Sequence, residues 1–213
     1  YKLIGGNYTF MPIECILENR GITKELFILD SSIIEDYNNY DNIQEGIELL
    51  IKHIKNKGKI RFVVDSDTDG NTSSAMLYNY IREIYPNADI EYKLHTGKQH
   101  GLSDDIKIED GINFVILCDS SSNDFKQHKE LHDRNIDVLV IDHHLCDDGY
   151  SPYATVINNQ LSKRVKNKNL SGAGVVYKFL KALDDYLFEN KADYYLDLVA
   201  LGNVADVMDL HEK

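Results

Sequence analysis

The stretch KIRFVVDSDTDGNTSSAML, residues 59–77, decides the fold. A short apolar run, "RFVV", is followed at once by carboxylates at alternate positions, Asp65, Asp67 and Asp69, and then by a glycine and a run of helix-compatible residues. Four consecutive apolar residues bounded by turn signals read as a buried strand, and the residues after Gly70 read as a helix, so the acids sit where strand gives way to helix. Three carboxylates so close repel one another unless a cation lies between them.

The rest of the chain repeats the alternation. Residues 42–56 put Ile43, Ile47, Leu50, Ile51 and Ile54 on one helical face. "TSSAMLYNYIREIY" reads as a helix ended by Pro86, "DIEYKLH" as a strand, "NFVILCD" as a fully buried strand and "FKQHKELHDRN" as a helix. "IDVLVIDHH" and "YATVINN" are two further strands, and from Gly172 onward the pattern is helical, in "AGVVYKFLKALDDYLF" and "ADYYLDLVALGNVADVMDL". Strands alternating with helices predict an α/β fold, a mostly parallel sheet flanked by helices on both faces. Ligands of such sheets bind beyond the carboxyl ends of the strands. Asp65, Asp67 and Asp69 follow one strand, Asp119 a second, and Asp142, His143 and His144 a third, so three strands deliver acids and imidazoles to one edge. For any single strand, an acid that merely caps the next helix explains as much.

The chain of 213 residues is 43% apolar, enough for one substantial core, and shows no internal repeat or Pro/Gly-rich linker. No apolar run approaches the ~20 residues of a membrane span, and no secretory signal is visible. The first residue is Tyr1 rather than Met, so the expectation is that the true N-terminus lies upstream. Cys15, Cys118 and Cys146 lack the spacing of a disulfide framework, which fits a reducing, cytoplasmic setting. A net charge of −12 argues against a protein that coats nucleic acid, yet not against an enzyme whose clustered acids are neutralised by metal.

Two familiar motifs fail against the opening stretch. An EF-hand loop needs a bidentate Glu at its twelfth position, which counted from Asp65 is Met76, and helices rather than a strand before it. The phosphatases with an aspartyl nucleophile carry D-x-D-G-T, where this chain has "DTDGNT", and they leave "DHH" without a role. By contrast, "VVDSDTDGNTSSAM", "LCDSSSND", "LVIDHHL" and "ALGNVADVMDL", in this order, resemble the four motifs of the DHH phosphoesterase superfamily. "CILENRGI" (15–22), "SGAGVVYKFLKAL" (171–183) and "ALGNVADV" further resemble the RecJ-type single-strand exonucleases.

The resemblance implies a catalytic domain over residues 1–213, with a helical extension at about 1–58 and without the second, substrate-closing domain of that family. It implies Asp67 and Asp69 as metal ligands, Asp119 as the carboxylate between two ions, and His143 and Asp206 as further ligands. Hard oxygens with an imidazole suit Mn²⁺ or Mg²⁺, two ions in the resembling family. Asp142 would orient the neighbouring imidazoles, and His144 would meet the scissile phosphate, as general acid toward the leaving oxygen. The pyrophosphatase branch has a histidine ligand where this chain has Val63; Asp65 is the candidate replacement, in keeping with the D-x-D-x-D pattern of the RecJ type.

For the substrate, the turn Ser171, Gly172, Ala173 and Gly174 opens a helix and is the candidate phosphate seat, with Arg164 and its neighbours Lys163, Lys166 and Lys168 as a backbone guide. His100 stands in a glycine-containing segment, 93–103, as a candidate substrate contact. The implied activity is 5′-to-3′ hydrolysis of single-stranded DNA. A phosphodiesterase of short oligonucleotides or cyclic dinucleotides, and a non-catalytic module that keeps the fold, remain open beside it.

Overall fold

The structure, a computed structural model, describes residues 12–22, 34–95, 100–102 and 106–209. Parts of the expected N-terminal extension (1–11, 23–33) and of the segment holding His100 (96–99, 103) lie outside the described residues. Two compact units result: residues 1–35 with 211–213, and residues 36–210. In the first, helix α1 (Pro12–Asn19) ends in a turn where the amides of Gly21 and Ile22 donate back to Glu18 and Leu17, with Gly21 at φ +65°.

The second unit is built on a five-stranded parallel sheet in the order β2-β1-β3-β4-β5. Its strands are β1 (Ile60–Val64), β2 (Ile90–Leu94), β3 (Phe114–Cys118), β4 (Asp137–Asp142) and β5 (Thr155–Asn158). Helices α2 (Ile43–Lys55), α3 (Thr68–Ile84), α4 (Phe125–Asp133), α5 (Gly172–Leu187) and α6 (Leu196–Ala205) complete it. Side chains alternate across the sheet with period two. Ile60, Phe62, Phe114, Ile116, Leu139 and Ile141 join the core beneath α2, α3 and α5, while Val63, Val115, Leu117, Val138 and Val140 join a second core with Leu131 of α4. Both faces of the central strands are therefore buried, which is why they read as unbroken apolar runs rather than alternating ones.

Residues 36–58 do not stand apart as an extension. Ile43, Ile47, Leu50 and Ile51 of α2 belong to the main core, and the Asn42 side chain donates to the Val156 carbonyl of β5 at 2.8 Å. Two helix boundaries differ from the reading of the sequence. Helix α3 starts at Thr68 rather than Thr72, because Asp67 caps it by accepting from the Gly70 amide at 2.8 Å; the D-x-D-G run is a cap and first turn, not a loop. Helix α6 stops at Ala205, with Asp206 as its C-cap and Val207 at φ +55°.

The chain leaves β1 toward β2 on one side and returns to β3 on the other. The strand order therefore reverses between β1 and β3, which is where an open sheet of this kind has its crevice.

Candidate metal centre at the sheet switch point

At that crevice Asp65 follows β1, Asp67 and Asp69 open α3, Asp119 follows β3, and Asp142 ends β4 with His143 and His144 beyond it. Asp119 takes φ +67°, an uncommon conformation for a residue with a side chain, and its amide donates to the Ile141 carbonyl at 2.8 Å. Helix α6 packs across α3 and α5 and delivers Asp206 from its C-cap.

The ligating atoms cluster. His143 Nε2 lies 3.1 Å from Asp119 Oδ1, 3.4 Å from Asp206 Oδ2 and 4.0 Å from Asp69 Oδ2. Three overlapping sets, Asp65–Asp67–Asp119, Asp69–His143–Asp206 and Asp119–His143–His144, each offer atoms within 4.8 Å of one another. The first two sets are separate, and Asp119 and His143 stand where they meet. The structure thus brings together all six residues expected as metal ligands.

The electrostatics call for a cation. Among the described residues no lysine or arginine pairs with these acids; their basic neighbours are imidazoles. Burial, then the Asp69 and Asp142 charges, push the Asp119 carboxyl up to about 10. Burial likewise raises Asp206, with the Asp69 charge adding to it and His143 opposing. Asp119 Oδ1 and His143 Nε2 are buried and close, yet neither has a hydrogen-bond partner. Two like charges 4 Å apart at an effective dielectric of 20 cost about 4 kcal/mol, a penalty that a divalent ion reverses. The donor set, mostly carboxylate oxygen with imidazole, fits Mn²⁺ or Mg²⁺.

Asp142 has a different task. It is fully buried, and its Oδ1 accepts from the His144 ring (Nδ1, 2.7 Å), the His143 amide (2.7 Å) and the His144 amide (3.2 Å), while Oδ2 accepts from the Ser122 amide (3.1 Å). Burial alone would favour its neutral form, but the hydrogen bond and charge of His144 with the Ser122 amide hold it down to about 2. The same hydrogen bond raises His144 against its own burial. With Nδ1–H committed to Asp142, His144 keeps Nε2 as its working edge.

The expected phosphate seat is a correction. The start of α5 is turned inward onto Asp69: Ser171 Oγ donates to it at 2.9 Å, and the Gly172 and Ala173 amides at 2.6 and 3.1 Å. The positive helix end holds one of the protein's own carboxylates, so these donors are not open to a substrate phosphate, and Gly174 is packed on Leu170. Gly202 of α6 sits on the same carboxylate. Arg164 also lies elsewhere, donating to the Asn38 carbonyl at 2.6 Å in a separate cavity with Asp41 and Tyr150. Lys168 is folded back on the carbonyls of Asn159, Gln160 and Ser162. His100 does reach the centre, with Nδ1 2.6 Å from Asp65 Oδ2.

One contributor escaped the sequence reading. Asn158, the last residue of β5, is fully buried and donates to Ser122 Oγ and the His144 carbonyl, both at 2.9 Å, tying the loops after β3 and β4 together. Its signal was position: a polar residue ending a strand at the same sheet edge.

An open parallel sheet that gathers carboxylates and imidazoles at its switch point defines an α/β domain built to hold divalent ions. Residues 59–203 match the DHH family, N-terminal domain, and the chain belongs to that family. It is 45% identical over 212 residues, 98% of this chain and 36% of the relative, to an SPbeta prophage-derived protein of Bacillus subtilis strain 168 provisionally named single-strand DNA-specific exonuclease YorK. It is 30% identical over 206 residues, 90% of this chain and 36% of the relative, to the single-stranded-DNA-specific exonuclease RecJ of Haemophilus influenzae. A crystal structure of exonuclease RecJ bound to manganese superimposes with a TM-score of 0.68 at 26% identity, covering 81% of this chain and 45% of that one. The chain thus spans about a third of the length of these curated relatives.

Proposed function

We propose that the protein is a Mn²⁺- or Mg²⁺-dependent phosphodiesterase that removes nucleotides from the 5′ end of single-stranded DNA. The observation that carries this reading is the convergence of Asp65, Asp67, Asp69, Asp119, His143 and Asp206 on one point with no basic side chain but imidazole to balance them. The single-strand exonucleases among its relatives, and the manganese bound by one of them, support the substrate and the ion. Two bound ions would supply positive charge to the phosphoryl oxygens and a lowered pKa to the attacking water.

The chain's own residues do the rest. Asp119 and His143 lie between the two ligand sets and fix their spacing. The α5 turn anchors Asp69 through three hydrogen bonds, so that carboxylate keeps its place when the charge around it changes. Asp142 orients the His144 ring, whose Nε2 holds a proton for the leaving oxygen. Buried thiols at Cys118 and Cys146 accord with a cytoplasmic setting, and among the described residues no helix is long and apolar enough to cross a membrane.

The test is release of mononucleotides from 5′-labelled single-stranded DNA with Mn²⁺, beside a 3′-labelled strand, a duplex and a cyclic dinucleotide, with calorimetric titration of Mn²⁺ in parallel. Asp119→Ala should lose turnover by orders of magnitude and weaken Mn²⁺ uptake. Cleavage of the cyclic dinucleotide alone, or an Asp119→Ala protein with unchanged Mn²⁺ binding, would overturn the reading.

A further inference from the structure

Beside the acid cluster lies a cavity of about 650 Å³, walled by the loop Ser120–Asn123 after β3 and closed on two sides by His100 and His144. Its size is that of a small-molecule site, and no part of it is needed to hold the ions. The two imidazoles are built alike. His144 Nδ1 is 2.7 Å from Asp142 and His100 Nδ1 is 2.6 Å from Asp65, and both carboxylates are buried. Each ring is thereby fixed by a carboxylate at Nδ1, while its side chain stays about half exposed, 49% for His144 and 62% for His100. Ser120, 4% exposed, lines the same cavity with an Oγ that has no hydrogen-bond partner. A buried hydroxyl left unpaired costs about 1–3 kcal/mol in general, which a ligand oxygen would recover.

The loop carrying His100 is also held to the cavity deliberately. Asp124 Oδ2 accepts from the Leu102 amide at 2.7 Å and from Ser121 Oγ at 2.6 Å. Between these anchors Gly101 adopts φ +63°, and a Cβ there would fall 2.3 Å from Asp124 Oδ2 and 2.7 Å from Ser121 Oγ. Only glycine allows the His100 loop to close so tightly on the β3 loop.

We infer that this cavity seats the terminal nucleotide of the strand, with its phosphate gripped between the Nε2 edges of His100 and His144 and an oxygen of the nucleotide hydrogen-bonded to Ser120. The ligand class is a nucleoside 5′-monophosphate, free as product or at the end of a strand, and Asp124 is a positioning residue that fixes His100. The inference rests on the functional reading above and deepens it by naming the residues that hold the nucleotide.

The experiment is calorimetric titration of the Mn²⁺-loaded protein with thymidine 5′-monophosphate, with thymidine and inorganic phosphate as separate probes, for the wild type, His100→Gln, Ser120→Ala and Asp124→Asn. Loss of a charge-assisted contact should weaken mononucleotide binding roughly ten- to hundredfold in His100→Gln. Ser120→Ala and Asp124→Asn should weaken it less, and the Mn²⁺ isotherm should stay unchanged in all three. A His100→Gln protein that binds Mn²⁺ and the mononucleotide as the wild type does would overturn the inference and leave the functional reading standing. A wild type that takes up Mn²⁺ but no mononucleotide would do the same. A wild type that takes up no Mn²⁺ would overturn both.

Discussion

Replacing Gly202 by alanine sets two effects of opposite sign against each other. Gly202 lies inside α6, where Gly→Ala ordinarily stabilises a helix by about 0.5–1 kcal/mol. Here the new Cβ would stand 2.3 Å from Asp69 Oδ1, 2.7 Å from the Ala173 Cβ and 3.1 Å from Thr72 Oγ1. Asp69 cannot swing away, since it is 2% exposed and tied to Ser171, Gly172 and Ala173. The Ala173 Cβ is fixed to the α5 backbone, so α6 must retreat. Overpacking of that kind costs about 1–3 kcal/mol, and a weakened hydrogen bond to Asp69 adds about 1.5–3 kcal/mol. The overlap wins, and we expect a net destabilisation of about 2–4 kcal/mol with a lowered urea midpoint at unchanged slope. Retreat of α6 also carries Asp206 away from His143, so Mn²⁺ affinity should fall in the same variant. A Gly202→Ala protein at least as stable as the wild type, with the same Mn²⁺ isotherm, would refute the close approach of α6 to Asp69.

Asp119→Asn removes a charge that burial and its neighbours already disfavour. Its metal-free melting temperature should equal or exceed the wild type's, while the Mn²⁺-induced rise, worth about 2.7 kcal/mol at a hundredfold excess over Kd, should vanish in differential scanning fluorimetry. Asp142→Ala strips the acceptor from the His144 ring and three amides, and should cost about 3–5 kcal/mol by urea denaturation. His128 on α4 is fully buried with neither ring nitrogen paired, and burial lowers it from an ordinary 6.5 to about 4. Because the folded value lies below the unfolded one, the unfolded chain takes up the proton first as pH falls, and stability declines between about pH 6.5 and 4. The loss approaches about 3 kcal/mol by linkage, and His128→Leu should flatten that part of a stability-against-pH curve.

The sheet was legible because its central strands are buried on both faces and appear as apolar runs, each ending in the acid or histidine that matters. The metal ligands were legible for the same reason: chemistry at the end of a parallel strand falls on a shared edge whatever the loops do. The turn Ser171–Gly174 was not. A helix N-terminus attracts an anion, but the sequence does not say whether that anion is a substrate or, as here, Asp69, more than a hundred residues earlier in the chain. Arg164 misled in the same way, since a basic residue before a glycine-rich turn reads as a phosphate guide until the fold points it at Asn38. The start of α3 was missed because Asp67 was counted as a ligand and not also as a cap. His100 could be placed near the substrate, whereas its pairing with Asp65 rests on a contact between β1 and a distant loop that no local pattern encodes.

Asp206 comes from the C-cap of α6, while Asp65 stands just after the first strand. During synthesis the earlier acids emerge together with most of the sheet, but the ligand set with Asp69 and His143 stays one carboxylate short until residue 206 has cleared the ribosome. A nascent chain therefore carries the fold well before it carries a complete centre. A potentially harmful hydrolytic activity is thus tied to completion of this domain, and truncated products that end before α6 should be inert.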